Sequence, residues 1–143
     1  MNLADLAVSA GPYPDIGSPE RACCMFAAGF LGANEAIHPG HVPYVKCVDI
    51  DRVRLAEMER IYPVGWEFVC ADAYTELDAM SAMGEHFDLI SLDPQMNQRA
   101  RCLALLPRLR ELADTVVLGV TVPDCGADEY VERCDDSWWA VWR

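Results

Sequence analysis

The chain is nearly devoid of lysine: Lys46 stands alone among 11 basic residues, the rest being arginine. Twenty-three Asp and Glu oppose those cations, giving a formal net charge of -12. A field of that sign repels polyanions, so free nucleic acid is not expected as a ligand unless a basic partner delivers it. Paired CxxC motifs are missing too. The seven cysteines are odd in number and sit mostly in apolar runs such as RACCMF, VKCVDI and EFVCAD, the pattern of reduced thiols packed as small hydrophobes. No apolar run reaches 18 residues and no basic n-region opens the chain. Neither a membrane span nor a secretory leader is therefore expected, and the expected compartment is the cytoplasm. A P-loop Gly-Lys-Ser/Thr and a serine in a nucleophile elbow are absent, which disfavours nucleotide hydrolysis and triad hydrolysis. His38, His41 and His86 have no cysteine or carboxylate at ligand spacing, so no metal site is expected.

What is present suffices for one domain. The 143 residues are 52% hydrophobic, a size and composition that support a core without disulfides. Residues 1–143 read as a single unit with 1–20 as an N-terminal arm. Leu3, Leu6, Ala7 and Ala10 lie at helical spacing there, ahead of the Pro- and Gly-punctuated loop GPYPDIGSPE. Apolar, strand-like runs follow at Arg21–Ala27, Tyr44–Val48, Trp66–Cys70, Phe87–Leu92 and Thr115–Thr121. Helical patterns separate them. One is capped by Asp51 and stopped by Pro63 and Gly65, one ends at Gly84, and one spans about Asn97–Ala113 with a kink expected at Pro107. Such alternation predicts an α/β doubly wound, mostly parallel sheet covered on both faces. For the tail, Gly126–Cys134 reads as a short helix and Ser137–Arg143 as a terminal strand, with Trp138, Ala140 and Trp142 on one face; a hairpin is the alternative.

Open parallel sheets bind ligands beyond the carboxyl ends of their strands, where the strand order reverses. Four such ends carry chemistry in this sequence: Gly29 and Gly32, Asp49 and Asp51, Asp72, and Asp93-Pro94. A glycine turn lets backbone approach a ligand, and a carboxylate about 20 residues later suits ribose hydroxyls. A third-strand carboxylate can accept from an adenine amino group. Together these describe a site for an adenosine-containing ligand. Each has an ordinary structural reading as well: turn glycines, helix caps at Asp51 and Asp72, and a strand-end carboxylate at Asp93.

In that order the motifs resemble the class I S-adenosylmethionine-dependent methyltransferase family, over roughly residues 21–121. CMFAAGFLGAN resembles its glycine-rich first motif, VKCVDID the acidic ribose motif, CADAY the adenine motif and FDLISLDPQM the substrate-facing motif. SWWAVWR resembles its antiparallel last strand. The resemblance implies the strand order 3-2-1-4-5 with the terminal strand antiparallel beside the fifth. It implies S-adenosylmethionine as cofactor, held by Ala27, Gly29, Gly32, Asp49, Ile50, Asp72, Ala73 and Tyr74. Asp93 and Pro94 would face the acceptor, a nitrogen or oxygen nucleophile of a small molecule or protein. Tyr13 and Tyr74 are the aromatics available to stack on adenine or substrate.

The chain departs from the family pattern at Cys24, where an acidic residue is usual, and at Gln95-Met96, where Pro-aromatic is usual. A short segment precedes the last strand, which predicts exposed area at Trp138, Trp139 and Trp142 and hence a homodimer or protein partner there. Those features support an alternative function, an inactive methyltransferase-fold protein that works by binding another protein. A third alternative, an NAD-binding protein, shares the ribose carboxylate but lacks G-x-G-x-x-G.

Overall fold

The computed structural model describes residues 12–25, 42–61, 65–133 and 136–143. The strands are β1 (Arg21–Met25), β2 (Tyr44–Asp49), β3 (Trp66–Cys70), β4 (Phe87–Leu92), β5 (Ala113–Val120), β6 (Glu129–Glu132) and β7 (Trp138–Trp142). Helices α1 (Arg52–Ile61), α2 (Ala73–Ala82), α3 (Arg99–Leu103) and α4 (Leu106–Leu112) are numbered among those described residues. One sheet takes all seven strands of the described residues in the order β3-β2-β1-β4-β5-β7-β6. The first five are parallel, β7 runs antiparallel beside β5, and β6 closes the edge antiparallel to β7. The expected strand order and the place of the terminal tryptophan strand are both found.

The central strands are buried on both faces, as their continuous apolar runs require. On one face, α2, α3 and α4 cover Met25, Leu77, Phe87, Ile90, Leu109, Leu118 and Trp142. The opposite face gathers Ala22, Cys24, Val45, Leu89, Val117, Trp139 and Val141, with Tyr13, Ile16 and Met58 packed on it. Cys23, Cys24 and Cys47 are buried there or on the first face. Burial pushes the Cys23 thiol well above its ordinary range. The lone lysine lies inside as well: Lys46 on β2 is 7% exposed and its Nζ reaches Glu76 at 2.7 Å and Glu85 at 3.6 Å.

Three expectations are corrected. The long helix at 97–113 is two helices joined by a turn, after a 3-10 turn at Met96–Gln98. Pro107 cannot donate to the carbonyl four residues back, so it takes a place in the first turn of α4 and the break falls just before it. The tail is a hairpin, with no helix at 126–133. Glu129 pairs with Val141 and Glu132 with Trp138, which satisfies the outer edge of β7. The Tyr130 hydroxyl accepts from the amides of Cys125 at 2.6 Å and Ala127 at 3.1 Å, fixing the approach to β6. The tryptophans are not an exposed patch either. Trp139 and Trp142 are each 2% exposed on opposite faces of the sheet, and Trp138 is half-buried against the first core. Hairpin β6–β7 covers what a missing helix was expected to bare.

The arm is a loop over 12–20, anchored by the Asp88 carboxylate, which accepts from the amides of Glu20 at 2.8 Å and Arg21 at 3.0 Å. The helix expected near its start lies outside the described residues, as do the end of the Arg21–Ala27 run and the segment that follows it.

Candidate functional site

Strand β1 is flanked by β2 and β4. The strand order reverses at this point, and a cavity of about 380 Å³ opens beyond the carboxyl ends of β2 and β4. It is lined by Asp49 and Ile50 from β2, Asp51 and Arg54 at the start of α1, Tyr74 from α2, and Asp93, Pro94, Gln95 and Gln98 after β4. Of the residues singled out in the sequence, Asp49, Ile50, Tyr74, Asp93 and Pro94 share this lining. Ala27, Gly29 and Gly32 lie outside the described residues. Asp72 and Ala73 start α2 just ahead of Tyr74 but do not line the cavity.

Asp49 is 3% exposed, and a carboxylate so buried needs partners. Its Oδ1 accepts from the Asp51 amide at 2.9 Å, and its Oδ2 from Arg54 Nη1 at 3.3 Å. A carboxylate has about four lone-pair positions, so roughly two carry no bond among the described residues. Asp51 caps α1, accepting from the amides of Val53 at 3.0 Å and Arg54 at 3.1 Å, as expected. Ile50 projects beside them, 65% exposed. Asp72 caps α2, and both of its bonds, from the Thr75 amide and hydroxyl, fall on Oδ2. Arg101 lies 3.9 Å over the Tyr74 ring, and the Tyr74 hydroxyl meets the Cys102 thiol at 3.6 Å. Burial, and then that contact, push the Tyr74 phenol up to about 12.

Asp93 carries an arrangement the sequence reading missed. Arg133, just past β6, grips it with two bonds, Nη1 to Oδ1 at 2.7 Å and Nη2 to Oδ2 at 2.9 Å. Arg99 adds Nη2 to Oδ1 at 3.5 Å and sends Nη1 to the Val120 carbonyl at 3.2 Å. The Arg133 guanidinium also lies 3.9 Å over the Trp139 ring. All of this occupies the space above Gly119, where a Cβ would fall 2.3 Å from Asp93 Oδ1. A glycine inside the strand run TVVLGVT was the available signal, since strand glycines mark close approach of another group. Tyr13 does not reach the cavity lining; its ring sits 6.4 Å from that of Trp139. Burial raises the Tyr13 phenol, Arg133 opposes the rise and Asp93 adds to it.

No family model matches the chain, and no curated protein matches its sequence. Solved structures do match. SMU.776, provisionally assigned as a methyltransferase and solved with SAH, superposes with a TM-score of 0.66 at 10% identity, over 97% of this chain and 47% of that one. A SAM-dependent methyltransferase from Agrobacterium tumefaciens gives 0.55 at 16%, over 85% and 43%. A chain of the fibrillarin/Nop5p complex gives 0.62 at 17%, over 99% and 80%. The fold is the methyltransferase fold. The chain spans about half the length of the first of these, 47%, and 43% of the second. In methyltransferase-fold terms, the cavity occupies the strand-order reversal, and Arg54, Arg99, Gly119 and Arg133 are additions that no motif reading supplied.

Proposed function

We propose that this chain is a methyltransferase that binds S-adenosylmethionine in the 380 Å³ cavity and serves a nitrogen or oxygen acceptor. The observation that carries the reading is Asp49: a buried carboxylate with unused acceptor positions, at the end of β2, in the wall of a cavity at the strand-order reversal. Solution of the structural neighbour SMU.776 with SAH supports it. Asp49 would hold the ribose hydroxyls and exposed Ile50 would cover one face of the adenine. Asp72, outside the cavity lining, would reach the adenine amino group only if the adenine extends past Tyr74, and its Oδ1 carries neither of the capping bonds. The cofactor would supply an already activated methyl on sulfonium, so the protein's task is alignment and exclusion of water. Asp93 and Pro94 then shape the acceptor side. With both oxygens in Arg133's grip, Asp93 acts as a fixed hydrogen-bonding anchor there.

Calorimetry with S-adenosylmethionine, S-adenosylhomocysteine and NAD tests the assignment. Saturable binding of the first two, with a rise in melting temperature that NAD does not reproduce, is expected. No heat and no shift at about millimolar S-adenosylhomocysteine defeats it.

A further inference from the structure

A second, smaller cavity of about 150 Å³ lies at the carboxyl end of β5. Ala100, Leu103, Val120 and Val122 give it an apolar body, and Arg99, Thr121 and Cys125 are its polar members. It adjoins the candidate cofactor site. Asp93 lines the larger cavity, Arg99 lines the smaller, and the two side chains meet at 3.5 Å. The wall on the β5 side is fixed by the tail hairpin, because the Tyr130 hydroxyl binds the amides of Cys125 and Ala127 and the Cys125 thiol bonds the Val122 carbonyl at 3.3 Å.

Charge at this junction is the reverse of the chain's average. Asp93 contributes one negative charge against the guanidinium groups of Arg99 and Arg133, leaving a net positive cluster in a protein of net charge -12. Arg99 is 8% exposed, and its five N–H donors are not exhausted by Val120 and Asp93: its Nε has no acceptor among the described residues. A cationic amine placed here would meet two arginines and an aspartate whose oxygens are already taken. An anion would meet an unsatisfied guanidinium beside an apolar pocket.

We propose that the smaller cavity is the acceptor subsite and that it takes a small carboxylic acid with an apolar body, its carboxylate on Arg99 and its body among Leu103, Val120 and Val122. A dry cavity of about this volume accommodates a benzene-sized ring, which sets the scale of the body. The proposal rests on the methyltransferase reading for the identity of the donor. Transfer to a carboxylate balances without a base: an oxygen–carbon bond to the methyl forms, the sulfur–carbon bond breaks with its electron pair left on sulfur, and no proton moves. That chemistry suits an Asp93 that is held in an ion pair.

The test uses the whole chain and three probes of one shape: benzoate, benzamide and benzylamine. Titration calorimetry or ligand-observed NMR, with and without S-adenosylhomocysteine, should show benzoate binding at about 1 mM or tighter. Benzamide should bind about tenfold more weakly, and benzylamine not at all. Arg99→Gln should erase the preference for benzoate over benzamide. Should that variant fail to fold, Ala100→Phe at an exposed helix position should fill the cavity and weaken both benzoate and benzamide. Equal binding of benzoate and benzamide, or benzoate binding unchanged in Ala100→Phe, overturns the proposal. The two readings fail separately. Binding of S-adenosylhomocysteine without benzoate sinks the acceptor subsite and leaves the cofactor assignment standing. Benzoate binding without S-adenosylhomocysteine does the reverse.

Discussion

Gly119→Ala adds a single methyl group, yet it should be one of the more damaging small substitutions available. On β5 that methyl would lie 2.3 Å from Asp93 Oδ1, 3.1 Å from Arg133 Nη1 and 3.3 Å from Asp93 Cγ. The glycine φ is not in the left-handed region, so the backbone itself accepts alanine and would gain roughly 0.5–1 kcal/mol from the change. The clash decides the sign. The Asp93 backbone is held, because its amide is bonded to the Met25 carbonyl at 3.1 Å, so relief comes from the carboxylate swinging out of the Arg133 fork. Unpairing a fully buried ion pair costs about 3–5 kcal/mol. Here the side chains of Asp93 and Arg133 keep 20% and 23% of their exposure, so water recovers part of that, and about 2–3 kcal/mol net destabilisation is expected. For a domain of this size each kcal/mol moves the melting temperature by about 3–5 °C, which places the variant roughly 6–15 °C below the parent. Urea denaturation of Gly119→Ala, Asp93→Ala and the double variant completes the argument. Removing Asp93 removes the clash and the ion pair together, so the methyl added at Gly119 should cost about 2–3 kcal/mol less in the Asp93→Ala background. Additive costs, or a Gly119→Ala variant within about 0.5 kcal/mol of the parent, would refute the reasoning.

Asp49→Ala should weaken S-adenosylhomocysteine binding about 30-fold or more while circular dichroism stays native, as expected when a hydrogen bond to a charged group is lost; unchanged affinity removes Asp49 from the site. Stability should fall in alkali above about pH 10. Burial pulls the Lys46 amine down, but bonding to Glu76 and the charge of Glu85 outweigh it, so Lys46 sits above its ordinary value; Tyr74 likewise rises, to about 12. Both groups hold their full contribution below their unfolded pKa values and lose it as pH climbs through the folded ones. Denaturation midpoints at about pH 9 and pH 11.5 check this, and Lys46→Met should shrink the difference between them. Tyr130→Phe removes the acceptor of two amides and should cost about 1–2 kcal/mol, with faster hydrogen exchange in β6 and β7.

How far the sequence could be read depended on range. The central strands announced themselves because burial on both faces makes their composition continuous, and the expected β2, β3 and β4 match to within a residue. Caps at Asp51 and Asp72 were legible because they act within three residues. The tail was misread for the opposite reason. Glu129–Glu132 has no strong local preference, and it becomes a strand because β7 presents an open edge that only the assembled sheet creates. The Asp93–Arg133 pair spans 40 positions, a separation at which no motif spacing operates. The tryptophans misled through composition: a short connection suggested a bare sheet face, whereas Trp139 and Trp142 are themselves the filling of the two faces.

The burial of Lys46 has a consequence for anyone who handles this protein. Its Nζ is engaged by Glu76 and Glu85 and almost wholly out of water, and the chain has no second lysine. To reagents that seek a lysine side-chain amine, the folded chain offers nothing, so amine-directed dyes, cross-linkers and resins will not find a side chain to hold until the protein unfolds. Cys70, exposed at the end of β3, is a thiol alternative for attachment, and the appearance of lysine reactivity becomes a direct reporter of the β2–α2 contact opening.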